Sequence, residues 1–150
     1  MGDGWRVAAE AVRMRQKDTE VGSDSLSSYV AVFRRIGDYT PYLSLSSQRS
    51  SATLRAWRDK LTSNPMPAYV PGGSQLNAID RMSGENLHVF DQHSQALGLS
   101  YALSPTVKIK GEWMSTRVGG GSQHFDTPAG KPDAKEKRVS TVSASVSVAF

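Results

Sequence analysis

Three polar constellations in this 150-residue chain have the residue types that chemistry uses. The first is His88-Val89-Phe90-Asp91-Gln92-His93. On an extended chain Asp91 and His93 share a face and His88 falls on the other. No third ligand or cysteine stands nearby, so the expectation is no metal site; His124, in a glycine-rich stretch, adds nothing. The second is serine itself, 21 residues of it. None sits in a G-x-S-x-G elbow, and no serine, histidine and carboxylate group into a nucleophile and its base. No catalytic residue, enzymatic activity or cofactor is expected. The third is Lys108, Lys110 and Glu112, which alternate with Val107, Ile109 and Trp113. A charge ladder of this kind suits either a solvated sheet face or the wall of an aqueous passage, where it biases ion selectivity.

Composition removes other classes. The chain has no cysteine, which excludes a disulfide framework and a thiolate metal site. Gly119-Gly120-Gly121-Ser122 lacks the Lys-Ser/Thr and the strand-to-helix setting of a phosphate loop. The net charge is +4 and the basic run Lys131–Arg138 invites a nucleic-acid reading. Asp133 and Glu136 interrupt that run and no aromatic platform accompanies it, so no nucleic-acid partner is expected. No segment approaches the ~18–20 apolar residues of a membrane helix.

The elements that position these residues are legible as period-2 patterns. At the C-terminus Val142, Ala144, Val146, Val148 and Phe150 alternate with Thr141, Ser143, Ser145 and Ser147. Leu97, Leu99 and Tyr101 alternate with Ala96, Gly98, Ser100 and Ala102, and Val107, Ile109 and Trp113 with the charge ladder. Ser104-Pro105 joins the last two runs as a tight turn. Residues 40–50 set Leu43 and Leu45 opposite Tyr42, Ser44 and Ser46. Residues 26–36 are apolar on both faces, Tyr29, Ala31 and Phe33 against Val30 and Val32, so their register is open. Residues 5–15 alternate loosely, with a helix as the rival, and the register of Glu10, Arg13 and Arg15 against the ladder is open too. The expectation is an all-β, antiparallel up-and-down meander of about six strands in a single domain spanning 1–150. The strands lie near 5–15, 26–36, 40–50, 89–103, 106–117 and 137–150. The long loops are 51–88 and 118–136, the first with helical spacing at 52–61 and 74–82.

Strands with one apolar face need something to cover it, and two short helices are too little. Lipid is the alternative cover. Alternating strands of ~10 residues, short turns at one end, long loops at the other and aromatics near strand ends are the pattern of a transmembrane barrel. Tyr101 and Phe150 fall near the tight-turn end and Trp113 near the long-loop end; Tyr29 and Phe33 fit a girdle less well.

Residues 91–117, DQHSQALGLSYALSPTVKIKGEWMSTR, together with GDYTPYLSLSSQ at 37–48 and a last strand ending on Phe150, resemble the C-terminal part of a Gram-negative outer-membrane porin. The resemblance covers the second half well and the first third loosely. It implies a porin-like outer-membrane channel segment that passes small hydrophilic solutes and ions by diffusion. It implies pore-lining roles for Lys108, Lys110, Glu112, Ser143 and Ser145, and lipid contact for Leu97, Leu99, Tyr101, Val107, Ile109, Trp113, Val142, Val146 and Val148. Phe150, with Ala144, Val146 and Val148, matches the signal that the barrel-assembly machinery reads. Outer-membrane lipid is the implied surroundings, with lipopolysaccharide phosphates as candidate partners for loop Lys and Arg, and a homotrimer is common in that family. Residues 1–15 have no apolar h-region of a signal peptide. Six strands are too few to close a barrel, so the expectation is a C-terminal portion that lacks its N-terminal strands. A non-channel structural or adhesin-type outer-membrane barrel and a soluble β-rich binding module remain open as alternatives.

Overall fold

A computed structural model describes residues 4–16, 24–63, 65–67, 69–119, 122 and 137–149. Six strands form one antiparallel sheet in chain order: β1 (Gly4–Met14), β2 (Ser25–Arg35), β3 (Tyr39–Ser50), β4 (Asp91–Ala102), β5 (Val107–Val118) and β6 (Arg138–Val148). The segment 5–15 is thus a strand. Ala and Arg favour a helix intrinsically, but an unbroken ladder from Gly4↔Arg35 to Met14↔Ser25 gives the extended form its hydrogen bonds. The sheet is not closed: β1 and β6 are both edges.

Register runs through all five pairings without a bulge, which sorts every side chain onto one of two faces. One face is apolar. Its central row reads Val7, Val32, Leu43, Leu97, Trp113, Val142 across the six strands. The row toward the tight turns holds Trp5, Arg34, Pro41, Leu99, Gly111 and Ala144; beyond it Tyr39, Tyr101, Ile109 and Val146 stand side by side. The other face is polar and carries Tyr42, Ser44, Ser46, Ser94, Ser100, Lys108, Lys110, Glu112, Ser143 and Ser145.

The two tight connections follow from local chemistry. Gly37 has φ 58° and stands between Ile36 and Tyr39, which exchange hydrogen bonds of 2.9 and 3.0 Å. That left-handed conformation is what a two-residue hairpin turn needs and what glycine adopts freely. Between β4 and β5, the Ser104 hydroxyl accepts from the Val107 N–H at 3.0 Å and Val107 N–H also reaches the Ser104 carbonyl, fastening the turn around Pro105.

At the opposite end, β3 leads into two helices, α1 (Ala52–Thr62) and α2 (Gly73–Glu85). Ser51 caps α1 by accepting from the Leu54 N–H. The helices pack on each other, and Leu54, Leu87 and Val89, with Trp57 and Leu61 against them, make a small apolar core there. Gly84 is required at that crossing, because a Cβ would lie 2.9 Å from the Thr62 side chain and 3.0 Å from that of Leu61. This core lies beside the sheet's loop end. Among the described residues nothing covers the apolar face itself: Val142 is 80% exposed and Trp5 69%.

The register of the least regular pair is directly testable in a chain without cysteine. Val7→Cys with Val32→Cys, directly opposed in β1 and β2, should form a disulfide on mild oxidation. Val7→Cys with Phe33→Cys, whose side chains point to opposite faces, should not. Mobility on a non-reducing gel separates the two outcomes.

Candidate functional site

The polar face has one row in which β1 to β5 contribute to a continuous set of contacts. In register it reads Arg6, Phe33, Tyr42, Gly98, Glu112, Ser143. The Arg6 guanidinium carbon lies 4.4 Å from the centre of the Phe33 ring, a cation–π contact. The Phe33 and Tyr42 ring centres are 5.4 Å apart and tilted by 30°. Tyr42 then crosses β4 altogether. Its hydroxyl donates to Glu112 Oε2 on β5, two strands away. Lys110 completes the group, with Nζ 3.1 Å from Glu112 Oε2 and 5.0 Å from the centre of the Tyr42 ring.

Gly98 makes this span possible. It sits between Tyr42 and Glu112 in the ladder, and a Cβ there would overlap the hydroxyl end of the Tyr42 side chain. A glycine within a strand weakens it through lost packing and added unfolded-state entropy. Here an aromatic ring from the neighbouring strand fills the vacated space. The flanking row is small, with Ala31 and Ala96 each 4% exposed. Beyond it Ser94 and Thr116 share a hydrogen bond of 2.8 Å, and Gln92 donates to Gln48 at 3.1 Å.

Around the row lies a groove of about 730 Å³, lined among others by Arg6, Phe33, Tyr42, Lys108, Lys110 and Glu112. It is open, with cationic side chains from β1 and β5 facing one another across aromatic rings. An arrangement of this kind attracts and orients small anions and polar solutes. It holds no nucleophile paired with a base, and no group of three or more His, Asp or Glu suited to a metal occurs among the described residues.

The residues singled out in the sequence are distributed as follows. Lys108, Lys110, Glu112, Ser143 and Ser145 share the polar face, Lys110 opposite Ser145 and Glu112 opposite Ser143. Leu97, Leu99, Tyr101, Val107, Ile109, Trp113, Val142, Val146 and Val148 share the apolar face. Phe150 lies outside the described residues, as do His124, Gly120, Gly121 and 131–136 of the basic run. Glu10 joins the polar face, opposite Tyr29, whereas Arg13 belongs to the apolar side and Arg15 follows the end of β1. Tyr29 and Phe33 are on the polar face, which is why they fit no girdle on the other.

Comparison with protein-family models, with curated proteins and with solved structures finds no match to this chain. What the site does is therefore argued from its geometry.

Sequence reasoning passed over Arg6, Tyr42 and Gly98. Tyr42 was visible as the aromatic opposite Leu43 and Leu45, and Gly98 as the one residue without a side chain on a strand of small polar ones. Only the register puts them together.

Two glycines on adjoining strands provide the test. Gly98→Ala should displace the Tyr42 ring and break its bond to Glu112, costing about 1–3 kcal/mol by overpacking. Gly111→Ala, where nothing lies within 4 Å of the added carbon, should be neutral or stabilising by about 0.5–1 kcal/mol. Denaturant midpoints measure both, and Gly98→Ala with Tyr42→Ser should recover much of the loss.

Proposed function

We propose that the chain is a wall of an outer-membrane β-barrel channel of the porin kind, through which small hydrophilic solutes and ions diffuse passively. The observation that carries this reading is the contrast between the two faces. From the central row to the turns one face is almost wholly apolar and uncovered, while the other face on β3 to β6 is lined mostly with Ser, Thr, Lys, Glu and Gln. In water an apolar area of this extent calls for a partner. In a bilayer it is the correct outer surface. Strands of 11 and 12 residues meet the ~9–11 residues that a tilted transmembrane strand needs. No helix among the described residues is long and apolar enough to cross a membrane.

The mechanism is physical. The polar face keeps the passage hydrated. Lys108 and Lys110 add positive field near the turn end, where low-dielectric walls focus it. Glu112, held by Tyr42 and Lys110, tempers that field. In this reading the tight turns lie on the periplasmic side, and the α1–α2 pair lies on the outer side and shields the mouth. In this reading Trp5, Pro41, Tyr39 and Tyr101, spread across the turn end of the apolar face with the two tyrosine rings 4.8 Å apart, mark the turn-side interface. Arg34 lies 5.2 Å over the Trp5 ring, within reach of water and headgroups there.

The test is a pair of charge changes on opposite faces of the sheet. Changing Lys108 and Lys110 to Glu moves the local charge from +2 to −2. In a planar bilayer the reversal potential in a salt gradient should shift toward cations with folding intact. The shift should shrink as the Debye length falls from about 10 Å at 0.1 M to about 3 Å at 1 M salt. Leu97→Lys, in the central row of the apolar face, should cost about 2–4 kcal/mol, read as loss of the protease-protected inserted form, whereas Ile109→Lys, level with Tyr39 and Tyr101, should cost about 0–1 kcal/mol. Harmless Leu97→Lys with unfolding by the Lys-to-Glu pair would mean the faces are inverted. An unchanged reversal potential in a conducting protein would remove these lysines from the permeation path.

A further inference from the structure

Where the apolar rows stop, at the loop end of the same face, the ladder places Ser28, Ser47, His93, Arg117 and Arg138 in one transverse row. Arg117 on β5 stands directly opposite Arg138 on β6, and His93 on β4 directly opposite Arg117 on the other side. Directly opposed residues have Cβ atoms about 4.5–5.5 Å apart, and like charges so placed repel. Neither arginine has a carboxylate within ion-pair distance among the described residues; the nearest acid in the ladder, Asp91, is paired with Arg49 at 3.6 Å. All three side chains are exposed. The sheet therefore holds two guanidinium groups and an imidazole side by side, with no carboxylate among the described residues paired to either guanidinium.

Beside them is a groove of about 590 Å³. Serines 28, 47 and 115 form it by being small, and Val30 and Leu45 give it an apolar floor that continues into the apolar face. One end of the groove is cationic and the other is hydrocarbon. Guanidinium groups match phosphate oxygens two at a time, and an acyl chain suits Val30 and Leu45. A free phosphate uses only the first half of this surface.

We propose that His93, Arg117, Arg138 and the Val30–Leu45 groove form a binding site for a phosphate-bearing anionic lipid, with the headgroup on the arginines and the first methylenes of its acyl chain in the groove. The site rests on the membrane reading above, which sets this row at headgroup depth on the loop side. It makes the arginine pair an asset: the lipid phosphate supplies a counter-charge to two directly opposed guanidinium groups, and the bound lipid ties β4, β5 and the edge strand β6 together.

The experiment uses the protein in maltoside micelles, with phosphatidic acid, phosphatidylcholine or inorganic phosphate added, and bound lipid counted by native mass spectrometry. The protein should retain phosphatidic acid in preference to phosphatidylcholine, and excess inorganic phosphate should not displace it. Arg117→Gln with Arg138→Gln should weaken retention about tenfold. Arg138→Gln alone, on the edge strand, should shift it in the same direction and serves if the double variant does not fold. Lys108→Gln with Lys110→Gln, on the opposite face, should leave retention unchanged. Equal retention by the protein and its arginine variants, displacement by inorganic phosphate, or loss in the Lys108/Lys110 variant would each overturn the site. Partition into phosphatidylcholine vesicles is measured alongside. A protein that inserts without preferring phosphatidic acid overturns the site alone; one that stays in water and ignores vesicles overturns the membrane reading with it.

Discussion

Register is the constraint on which the rest of this structure depends. Side chains in a strand alternate with a period of two, so a slip of one residue in any pairing sends a whole strand's apolar set to the polar face. Five successive pairings without a bulge keep Val7, Val32, Leu43, Leu97, Trp113 and Val142 in one line. Each such line depends on every pairing before it. The two tight turns fix two of the registers locally, through Gly37 and through the Ser104 hydroxyl. β1–β2, β3–β4 and β5–β6 are joined by longer stretches of chain, whose closure costs more entropy, so cross-strand side chains carry more of the burden of register there.

The Tyr42 ring over Gly98 is a device suited to that task at β3–β4 and β4–β5 together. It fits only when Tyr42, Gly98 and Glu112 are level, because any slip puts a side-chain carbon where the ring lies. Ser100 and Ala96 are the next residues on the same face of β4, and each carries a Cβ. The bond to Glu112 closes over the middle strand, so it rewards two correct registers at once. The exposed ion pair of Glu112 with Lys110 contributes little stability by itself. Its importance is that it keeps the Glu112 carboxylate aimed back toward Tyr42.

The strands of the second half were legible because one of their faces is almost purely apolar and the other small and polar, which leaves a single consistent reading. β2 was not, since Tyr29, Ala31 and Phe33 oppose Val30 and Val32. Hydrophobicity cannot choose between two apolar faces, whereas the pairing of Phe33 with Tyr42 does. The same holds for Glu10 and Arg13, whose placement needs the β1–β2 ladder. The helices were foreshadowed by spacing at 52–61 and 74–82, and α1 and α2 run a little past those limits because their packing on Gly84 and Leu61 extends the helical turns. The Arg6–Phe33–Tyr42–Gly98–Glu112 row and the Arg117–Arg138 pair were hidden for one reason. Both are made of residues far apart in the chain, and a period read within a strand says nothing about which residues of two strands stand level.

Two faces of unlike solvent preference also dictate what must happen at the sheet's margins. In water the unpaired N–H and C=O groups along the outer sides of β1 and β6 are solvated at little cost. In hydrocarbon each such group costs several kcal/mol, which is why spanning sheets have no free edge. A bilayer therefore accommodates the apolar face only if further strands pair with both margins. A six-strand meander meets that demand without conflict of direction: β1 and β6 run antiparallel, so strands added at either side, or the opposite margin of another such sheet, continue the alternation. The margins differ in how they receive a neighbour. β6 offers alternating Val and Ser, with Val142, Val146 and Val148 already exposed toward the apolar side. β1 offers alanines at positions 8, 9 and 11, which leave room beside them for a neighbouring strand's larger side chains. The same pleat that segregates the two faces thus sets the terms on which the sheet is completed.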